Sequence, residues 1–327
     1  MTKKQNAPRA TGRGTQSSFD FHTNYTTQET ADQFNRAIAD SGLPPPNHVI
    51  ADGKIHRFPT NNQKGDDAGW YVLHLGNVPV GIFGDWRTEA VEYWRGDVGR
   101  ALSPEEKLRH KEQLDQVHQQ AASAKAADHE NSRRKAESIW MAAAAAPADH
   151  SYLIAKNVQS HGLKLDGGQL VVPMRIGDTL HSLQFINVDG KKRFLKGGRK
   201  KGCYHLIGTP GEVLCIAEGY ATAASIHEAT GYPVAVAFDA GNLKPVGEEL
   251  ARHYPDSRLL FCADNDRTTV GNLGLSKAKL AAKAVGGSVA VPEFPGGTPG
   301  TDFNDLLQAC GSDTLQTTIG KALAWPE

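Results

Sequence analysis

Three apolar runs that each end in an acidic residue constrain the fold of this chain most strongly. They read VLCIA before Glu218, VAVAF before Asp239, and LLFCA before Asp264 and Asp266. Alanine-rich segments with helical spacing separate them, and this alternation predicts βαβ units around a parallel sheet. Runs with so little polar alternation are typical of strands buried on both faces. The alanine-rich segments are 221–230 and 276–285.

The acidic residues after these runs are expected to gather at one edge of the sheet. Ligands of open parallel sheets bind beyond the carboxyl ends of the strands. Crowded carboxylates raise one another's pKa, and a divalent cation removes that penalty. Mg²⁺ prefers oxygen ligands and is typically held by one or two carboxylates plus substrate phosphates. Asp264 and Asp266 would share a face of a straight strand, so they can converge on one Mg²⁺ or Mn²⁺ ion.

The cysteines argue against zinc. Cys203, Cys215, Cys262 and Cys310 are scattered, without a CxxC pair, so no zinc ribbon is expected. The acidic residues have no Cys/His grouping beside them, which favours a hard metal ion. Cys215 and Cys262 lie inside predicted strands, and we interpret them as small core residues.

The amino-acid sequence of this region resembles the Toprim domain, a catalytic fold shared by bacterial primases, topoisomerases and some nucleases. The segments IAEGYATAASIHEATG, VAFDAGNL, ADNDRTTVGNLG and GTDFNDLL are similar to Toprim primases of conjugative plasmids and satellite phages, over roughly Leu170 to Gly311. The residues assigned by this resemblance are Glu218 as general acid/base or metal ligand, Asp264 and Asp266 as the metal-binding pair, and Asp302 and Asp305 as a further acidic pair.

Two positions depart from the pattern of replicative primases. Thr222 stands where these primases often carry an acid, four residues after the glutamate. Asp302 and Asp305 are three residues apart, whereas the corresponding acids are usually two apart. These two aspartates can also be the N-terminal acids of a last helix at 304–309. The resemblance favours a metal or nucleotide role for Asp302 and leaves the number of metal ions open.

A basic segment, GKKRFLKGGRKKGCYH at 190–205, directly precedes the proposed metal strand. It carries seven basic residues and no acid. Such runs are usually solvated faces, but paired glycines allow a close approach of backbone to a ligand. We expect it to hold template or triphosphate phosphates, with an affinity that falls as salt rises; its position also resembles the basic motif of primases. The expected nucleotide- or DNA-binding residues are Arg193, Lys196, Arg199, Lys200, Lys201, Asn242 and Arg267.

Several polar residues of the core have two open interpretations. Asp239 either approaches the metal ion or caps the helix after Asn242. Arg267 pairs either with phosphate or with its own neighbouring aspartate. Thr222 and Asn265 are weaker candidates, as neighbours that orient the acids.

The 327 residues allow two domains and a linker. The tail, 1–24, is rich in basic and small polar residues and is expected to be disordered. An α+β module at 25–100 should contain a helix at 27–40 and strands at 48–51, 54–58, 70–75 and 78–83. Its aromatic residues either fill a small core or stack bases of single strands beside arginines. They are Trp70, Tyr71, Trp86, Tyr93 and Trp94, with Arg57, Arg87 and Arg95.

A long helical linker is predicted at 101–150. Ser103 and Glu106 form a capping signal around Pro104. The apolar stripe is thin, which favours a helix that bridges two domains over a partner-binding coiled coil. The catalytic core follows at 151–327, with a hairpin at 169–175 and 179–188, the basic motif at 190–205 and the metal site at 213–305.

Global charge does not indicate nucleic acid, because 36 basic and 36 acidic residues balance; any such signal must be local. The absence of a signal peptide or bilayer-length apolar run leads us to expect a cytoplasmic protein without membrane contact.

The favoured hypothesis is a metal-dependent DNA primase that uses single-stranded DNA and NTPs. The alternatives are a Toprim nuclease, with water as the nucleophile, and a non-catalytic single-strand-binding accessory protein for replication or conjugation. A topoisomerase is less favoured, since no tyrosine shows signs of a cleavage site. The sequence lacks a P-loop motif, so unwinding would need a separate helicase or another replication or conjugation partner.

Overall fold

The computed structural model describes residues 26–61, 65–76, 78–88, 90–97, 101–266 and 272–324. They divide into two compact units, one up to Ser123 and the other from Ala124. The predicted tail at 1–24 and Arg267 lie outside the described residues. No helix in the described ranges is both long and apolar enough to cross a bilayer.

The first unit packs one helix on an antiparallel sheet of order β1-β2-β3-β4. The helix begins with a reciprocal capping box between Thr26 and Glu29. It buries Phe34 and Ile38 among the aromatic side chains of the sheet. The bounds are α1 (Thr27–Asp40), β1 (His56–Phe58), β2 (Gly69–His74), β3 (Val80–Asp85) and β4 (Ala90–Arg95).

The predicted helix and three of the four predicted strands are found in this unit. The strand predicted at 48–51 is wrong, because the Ile50 N–H donates to the Tyr71 hydroxyl (2.9 Å) rather than to a neighbouring strand. Conversely, β4 was not predicted. It is an edge strand whose described residues are mostly exposed, so it shows little of the apolar alternation that marks a half-buried strand.

Some of the aromatic residues of this unit fill its core. Trp70 and Tyr71 are buried, and the Trp70 ring stacks on Trp86 at a centroid distance of 4.6 Å. Tyr93 is exposed and stacks on His118 of the following helix. The core interpretation therefore holds for Trp70 and Tyr71, while base stacking by Trp86 or Tyr93 stays a prediction.

One 39-residue helix, α2 (Pro104–Ala142), follows. Its capping signal is confirmed, since Ser103 Oγ accepts from the Glu106 N–H (3.2 Å) and Glu106 Oε2 accepts from the Ser103 N–H (2.9 Å). Val117 packs in the first unit, whereas Ala136 packs in the second. The division between the units thus falls within this helix, and a different core stabilises each part.

The second unit contains two five-stranded sheets. One is antiparallel with order β5-β6-β7-β8-β9, and the other has order β10-β12-β11-β13-β14. In the latter, β10 runs antiparallel at the edge and the other four strands are parallel. The strands are β5 (Ala144–Ala145), β6 (Lys164–Asp166), β7 (Gln169–Ile176), β8 (Thr179–Ile186), β9 (Lys192–Phe194), β10 (His205–Ile207), β11 (Val213–Ala217), β12 (Val234–Val236), β13 (Arg258–Cys262) and β14 (Ser288–Ala290).

Helices cover both faces of the parallel sheet. Successive β11 residues alternate between two cores, with Cys215 in the core of α4 and α7 and Ile216 in the core of α5 and α6. This explains the continuous apolar runs and confirms the predicted α/β core. The helices are α3 (Ser151–Lys156), α4 (Tyr220–Thr230), α5 (Leu243–His253), α6 (Leu273–Val285) and α7 (Phe303–Ala324).

Candidate active site

Glu218 and Asp264 lie at the ends of two neighbouring parallel strands. Ala217 pairs with Cys262 in the ladder between β11 and β13, so the chain leaves the sheet at the same level in both strands. The first turn of α6 packs closely against both residues. A Cβ atom on Gly274 would lie 3.0 Å from Glu218 Oε1 and 2.9 Å from the Asp264 carbonyl oxygen. Only glycine therefore fits at position 274 without a shift of its neighbours.

Both carboxyl groups are largely withdrawn from water. Glu218 Oε1 and Asp264 Oδ1 are buried and accept no hydrogen bond from the described residues. Burial raises the pKa of Glu218 to about 7, and the negative charges of Asp239 and Asp266 add to this effect. Burial raises the pKa of Asp264 to about 8, with further contributions from Glu218, Asp302 and Asp266.

The donor set of this carboxylate pair fits a hard divalent cation. Two buried oxygens without a protein partner are what an oxygen-preferring ion would satisfy. Within the described ranges, no three His, Cys, Asp or Glu side chains stand together as a ready-made metal cluster. An ion here would therefore complete its coordination with water and substrate phosphates, as Mg²⁺ commonly does.

Asp266 and Asp302 lie near this pair in different settings. Asp266 is exposed, and its charge raises the pKa of both Glu218 and Asp264. Asp302 Oδ1 accepts from the Asp305 N–H (2.9 Å) at the start of α7, and its Oδ2 accepts from Thr222 Oγ1 (3.2 Å). Asp302 is thus a helix cap that also faces the carboxylate pair.

Asp305 and Asn265 make local contacts. Asp305 Oδ2 accepts from the Thr301 N–H (3.0 Å). This bond agrees with the interpretation of Asp305 as an N-terminal acid of the last helix. Asn265 Oδ1 accepts from Asn272 Nδ2 (2.8 Å), and the Asn265 N–H donates to the Thr301 carbonyl (2.7 Å). These bonds tie the loop after β13 to the starts of α6 and α7.

Asp239 caps the short helical turn at 240–242, where its Oδ1 accepts from the Asn242 N–H (3.0 Å). Its other oxygen accepts from Lys200 Nζ (2.6 Å), and its charge raises the pKa of Glu218. The preceding residue, Phe238, has φ +75°, a strained conformation for a bulky residue and one that clusters at functional sites. Asp239 therefore links the basic segment to the acidic site.

Asn242 is buried, and both ends of its side-chain amide form hydrogen bonds. Its Nδ2 donates to the carbonyls of Cys203 (3.0 Å) and Ala237 (2.8 Å), and its Oδ1 accepts from the Gly202 N–H (2.8 Å). This geometry favours a role in holding the basic segment beside β12 over direct contact with nucleic acid.

The basic segment begins as β9, the edge strand of the antiparallel sheet, and there it presents Lys192 to the acids. Burial and the neighbouring charge of Lys156 lower the pKa of Lys192 below its usual value, and the charges of Asp264, Asp302 and Glu218 partly oppose this effect. Lys192 keeps an exposed surface, yet its ammonium group lies beside the end of β11, where a Cβ atom on Gly219 would be 3.5 Å from Lys192 Nζ. It was not among the expected site residues, because a run of seven similar bases does not reveal which one faces the acids.

The other basic side chains have varied settings. Arg193 Nη2 donates to Gln169 Oε1 (2.7 Å), and the Arg193 guanidinium lies 3.9 Å from the Phe185 ring centroid. Arg199 is partly buried and donates from Nε to the Lys201 carbonyl (3.2 Å). Lys196 and Lys201 are exposed. The structure thus brings Lys200 to the acidic site through Asp239, while Arg193 and Arg199 bind elsewhere on the protein.

The glycine pair in this segment serves protein packing. A Cβ on Gly197 would lie 2.9 Å from Ser132 Oγ, and one on Gly198 would lie 2.0 Å from Ser182 Oγ. Ser132 Oγ also donates to the Lys196 carbonyl (2.8 Å). The close approach inferred from the sequence is therefore to α2 and β8, and it fixes the course of the basic turn.

Comparisons with known proteins agree with this geometry. The Toprim domain family matches residues 213–313, which include both strand ends and the start of α7. Two curated Escherichia coli proteins named DNA primase TraC are 36% and 34% identical over 289 and 285 residues. These matches cover 81% and 80% of this chain but 27% and 19% of the relatives. The chain thus spans about a quarter of the length of the curated relatives or less.

Solved primase structures show a more distant likeness. The DnaG primase catalytic domain bound to ssDNA has a TM-score of 0.44 at 12% identity, covering 60% of this chain and 80% of that chain. The Aquifex aeolicus primase, with its zinc-binding and RNA polymerase domains, has a TM-score of 0.41 at 11% identity, covering 90% and 85%. Both TM-scores are below 0.5, so the similarity rests on the sequence matches. Residues 213–313 match the Toprim domain family, and the chain is similar to the TraC DNA primases over about four-fifths of its length.

Proposed function

We propose that this chain is a DNA primase, which joins nucleotides from NTPs into short primers on single-stranded DNA in a metal-dependent reaction. The observation that carries the proposal is the pair Glu218 and Asp264, half-buried without hydrogen-bond partners at neighbouring strand ends and faced by Lys192. The similarity to two DNA primases over four-fifths of the chain supports it.

Glu218 and Asp264 would hold the ion, with Asp266 and Asp302 as the nearby acids that complete the site. Bound Mg²⁺ or Mn²⁺ would lower the pKa of the attacking 3′-hydroxyl and neutralise charge on the triphosphate. Glu218, as a carboxylate beside the bound ion, would accept or relay the hydroxyl proton. Lys192 faces these acids and would bind the phosphates that approach the ion.

The rest of the basic segment is proposed to guide the template. Arg193, Lys196, Arg199 and Lys201 would contact phosphates, whose binding is electrostatic and salt-dependent. Lys200 would do so by exchanging Asp239 for a phosphate, and Asn242 would hold the segment in place. Arg267 follows the Asp264–Asp266 turn in sequence and is proposed to bind phosphate. We further propose a separate helicase or other replication or conjugation partner for unwinding, and a cytoplasmic location, where DNA and NTPs are both available.

Primer synthesis tests this proposal directly. Purified protein is incubated with single-stranded DNA, Mg²⁺ or Mn²⁺ and labelled NTPs without a primer, and the products are separated on a gel. We expect short labelled oligonucleotides that disappear with Asp264→Asn combined with Asp266→Asn and persist with Asp313→Asn, an exposed acid of α7. Activity that survives the double substitution would refute the site assignment. Metal-dependent shortening of the DNA without synthesis would identify a nuclease, and neither product would leave an accessory binding role.

A further inference from the structure

The outer face of α6 carries an exposed apolar stripe. The helix buries Gly274, Ala278 and Ala281 on its inner side. Leu273 and Leu280 are each 59% exposed, and their spacing of seven residues places them on the same side of the helix. Two exposed leucines in register on one helix resemble the seam of a helix pair rather than isolated surface residues.

Lysines flank this stripe on both sides. Lys277, Lys279 and Lys283 are exposed, and α6 contains no acidic residue. At 100° per residue, Lys279 and Lys283 fall on one side of the leucines and Lys277 on the other. Across the part of the chain that the structure describes, none of the three has an ion-pair partner.

The neighbouring helix does not supply the missing negative charge. α5 packs beside α6, but its acidic residues form ion pairs with basic residues of α5 itself. Glu248 pairs with Lys244 at 3.7 Å, and Glu249 pairs with Arg252 at 2.8 Å. The surface formed by Leu273, Leu280 and the three lysines, here called the α6 face, is therefore apolar at its centre and uniformly positive at its edges.

We propose that the α6 face is a docking surface for an acidic amphipathic helix of a partner protein. Leucines of such a helix would pack on Leu273 and Leu280, and its glutamates or aspartates would meet the lysines, as charges flanking a coiled-coil seam do. A second copy of this chain fits poorly, because its own α6 face would bring lysine against lysine. A nucleic-acid strand could place phosphates on the lysines, but it would leave Leu273 and Leu280 without a partner, because aromatic rings rather than leucines stack bases.

This inference does not depend on primase activity, since it concerns binding outside the carboxylate site. The probe is a labelled synthetic helix with leucines at its a and d heptad positions and glutamates at e and g. Fluorescence anisotropy against the full chain should show saturable binding. Leu273→Gln with Leu280→Gln should weaken that binding about tenfold or more, because the apolar centre of the α6 face is removed. Glutamine is chosen because it keeps the helix propensity of leucine.

A matched control comes from α2, where Leu108 is also 59% exposed. Leu108→Gln should leave the anisotropy curve unchanged. Lys277→Glu with Lys279→Glu and Lys283→Glu should abolish binding of the acidic probe and create binding of the same probe with lysines in place of its glutamates. Circular dichroism checks that each variant keeps its helix content.

Three results would overturn the proposal. They are no saturable binding of the acidic probe, equal binding by the leucine variants, or a concentration-dependent dimer that disappears with those variants. If the lysine substitutions instead weaken binding to single-stranded DNA and the probe does not bind, the α6 face contacts nucleic acid.

Discussion

At the scale of single residues, the site is defined by carboxylates that the fold withdraws from water without supplying a hydrogen bond. Burial alone accounts for the largest part of the raised pKa values of Glu218 and Asp264. Lys192 compensates part of this charge. Such an arrangement costs free energy in the metal-free protein, and binding of a cation would recover it.

The metal-free protein should lose stability as pH rises. A carboxyl group whose pKa is raised on folding binds more protons in the folded than in the unfolded state at pH values between its two pKa values. For Glu218 and Asp264 this window runs from their ordinary values to about 7 and about 8. Asp264→Asn should flatten this slope and stabilise the metal-free protein by about 1–3 kcal/mol at the upper end of the window. Urea unfolding with EDTA across the window measures this, and an unchanged slope would contradict it.

Gly274→Ala should disturb the site without replacing a charged residue. The added Cβ would meet Glu218 Oε1 at 3.0 Å and the Asp264 carbonyl at 2.9 Å, so the strand end or the helix must shift. We expect lower stability and weaker metal binding. Gly320→Ala is the control, because this helical glycine has no atom within 4 Å of its added Cβ, and it should be neutral or stabilise by up to about 1 kcal/mol. Equal effects of the two substitutions would exclude a special role for Gly274.

Some of these residues are predictable from the sequence, and others are not, for physical reasons. Glu218 and Asp264 were predictable because parallel strands end together at one edge. The position of Lys192 beside the acidic residues was not predictable, because it depends on the pairing of β9 with β8. Three strand residues within a basic run give no pattern from which to predict a strand. The buried bonds of Asn242 depend on contacts with residues about forty positions away.

At the scale of elements, the basic segment is a strand followed by a turn that serines of α2 and β8 fix in place. Packing thus sets the course of its backbone, and its charged side chains make different contacts. The hairpin of β7 and β8 was predictable from its length and its Gly177-Asp178 turn. The edge strand β10 has only three residues and was not, since so short a run carries no usable periodicity.

The basic turn should contribute to the salt dependence of DNA binding. Lys196→Ala with Arg199→Ala should weaken single-strand binding and reduce the slope of log K against log salt by about 0.7 for each phosphate that is no longer neutralised. Lys135→Ala with Lys321→Ala removes the same charge from exposed lysines on α2 and α7 and should change the slope little. Identical slopes for the two double variants would indicate a solvated face rather than a phosphate track.

At the scale of the whole molecule, each of the two units has its own core, both cores include residues of the helix α2, and the candidate site lies in the second unit. The fold class of that unit was predictable because both faces of its parallel sheet are covered, which leaves a strong apolar signal. The boundary between the two units, which falls inside α2, was not predictable. It depends on which of the two cores each side chain of this continuous helix packs into. Val117 and Ala136 illustrate this, since each is buried in a different unit.

Glu218 and Asp264 are proposed to hold a divalent cation, and a titration with Mn²⁺ can show whether they do. Electron paramagnetic resonance reports free Mn²⁺ during a titration of the full chain in the presence of an NTP. We predict that the wild-type protein and the Asp313→Asn control immobilise the ion, and that Asp264→Asn does not. Equal immobilisation by all three proteins would rule out this site, because the ion would then bind somewhere other than the ends of β11 and β13.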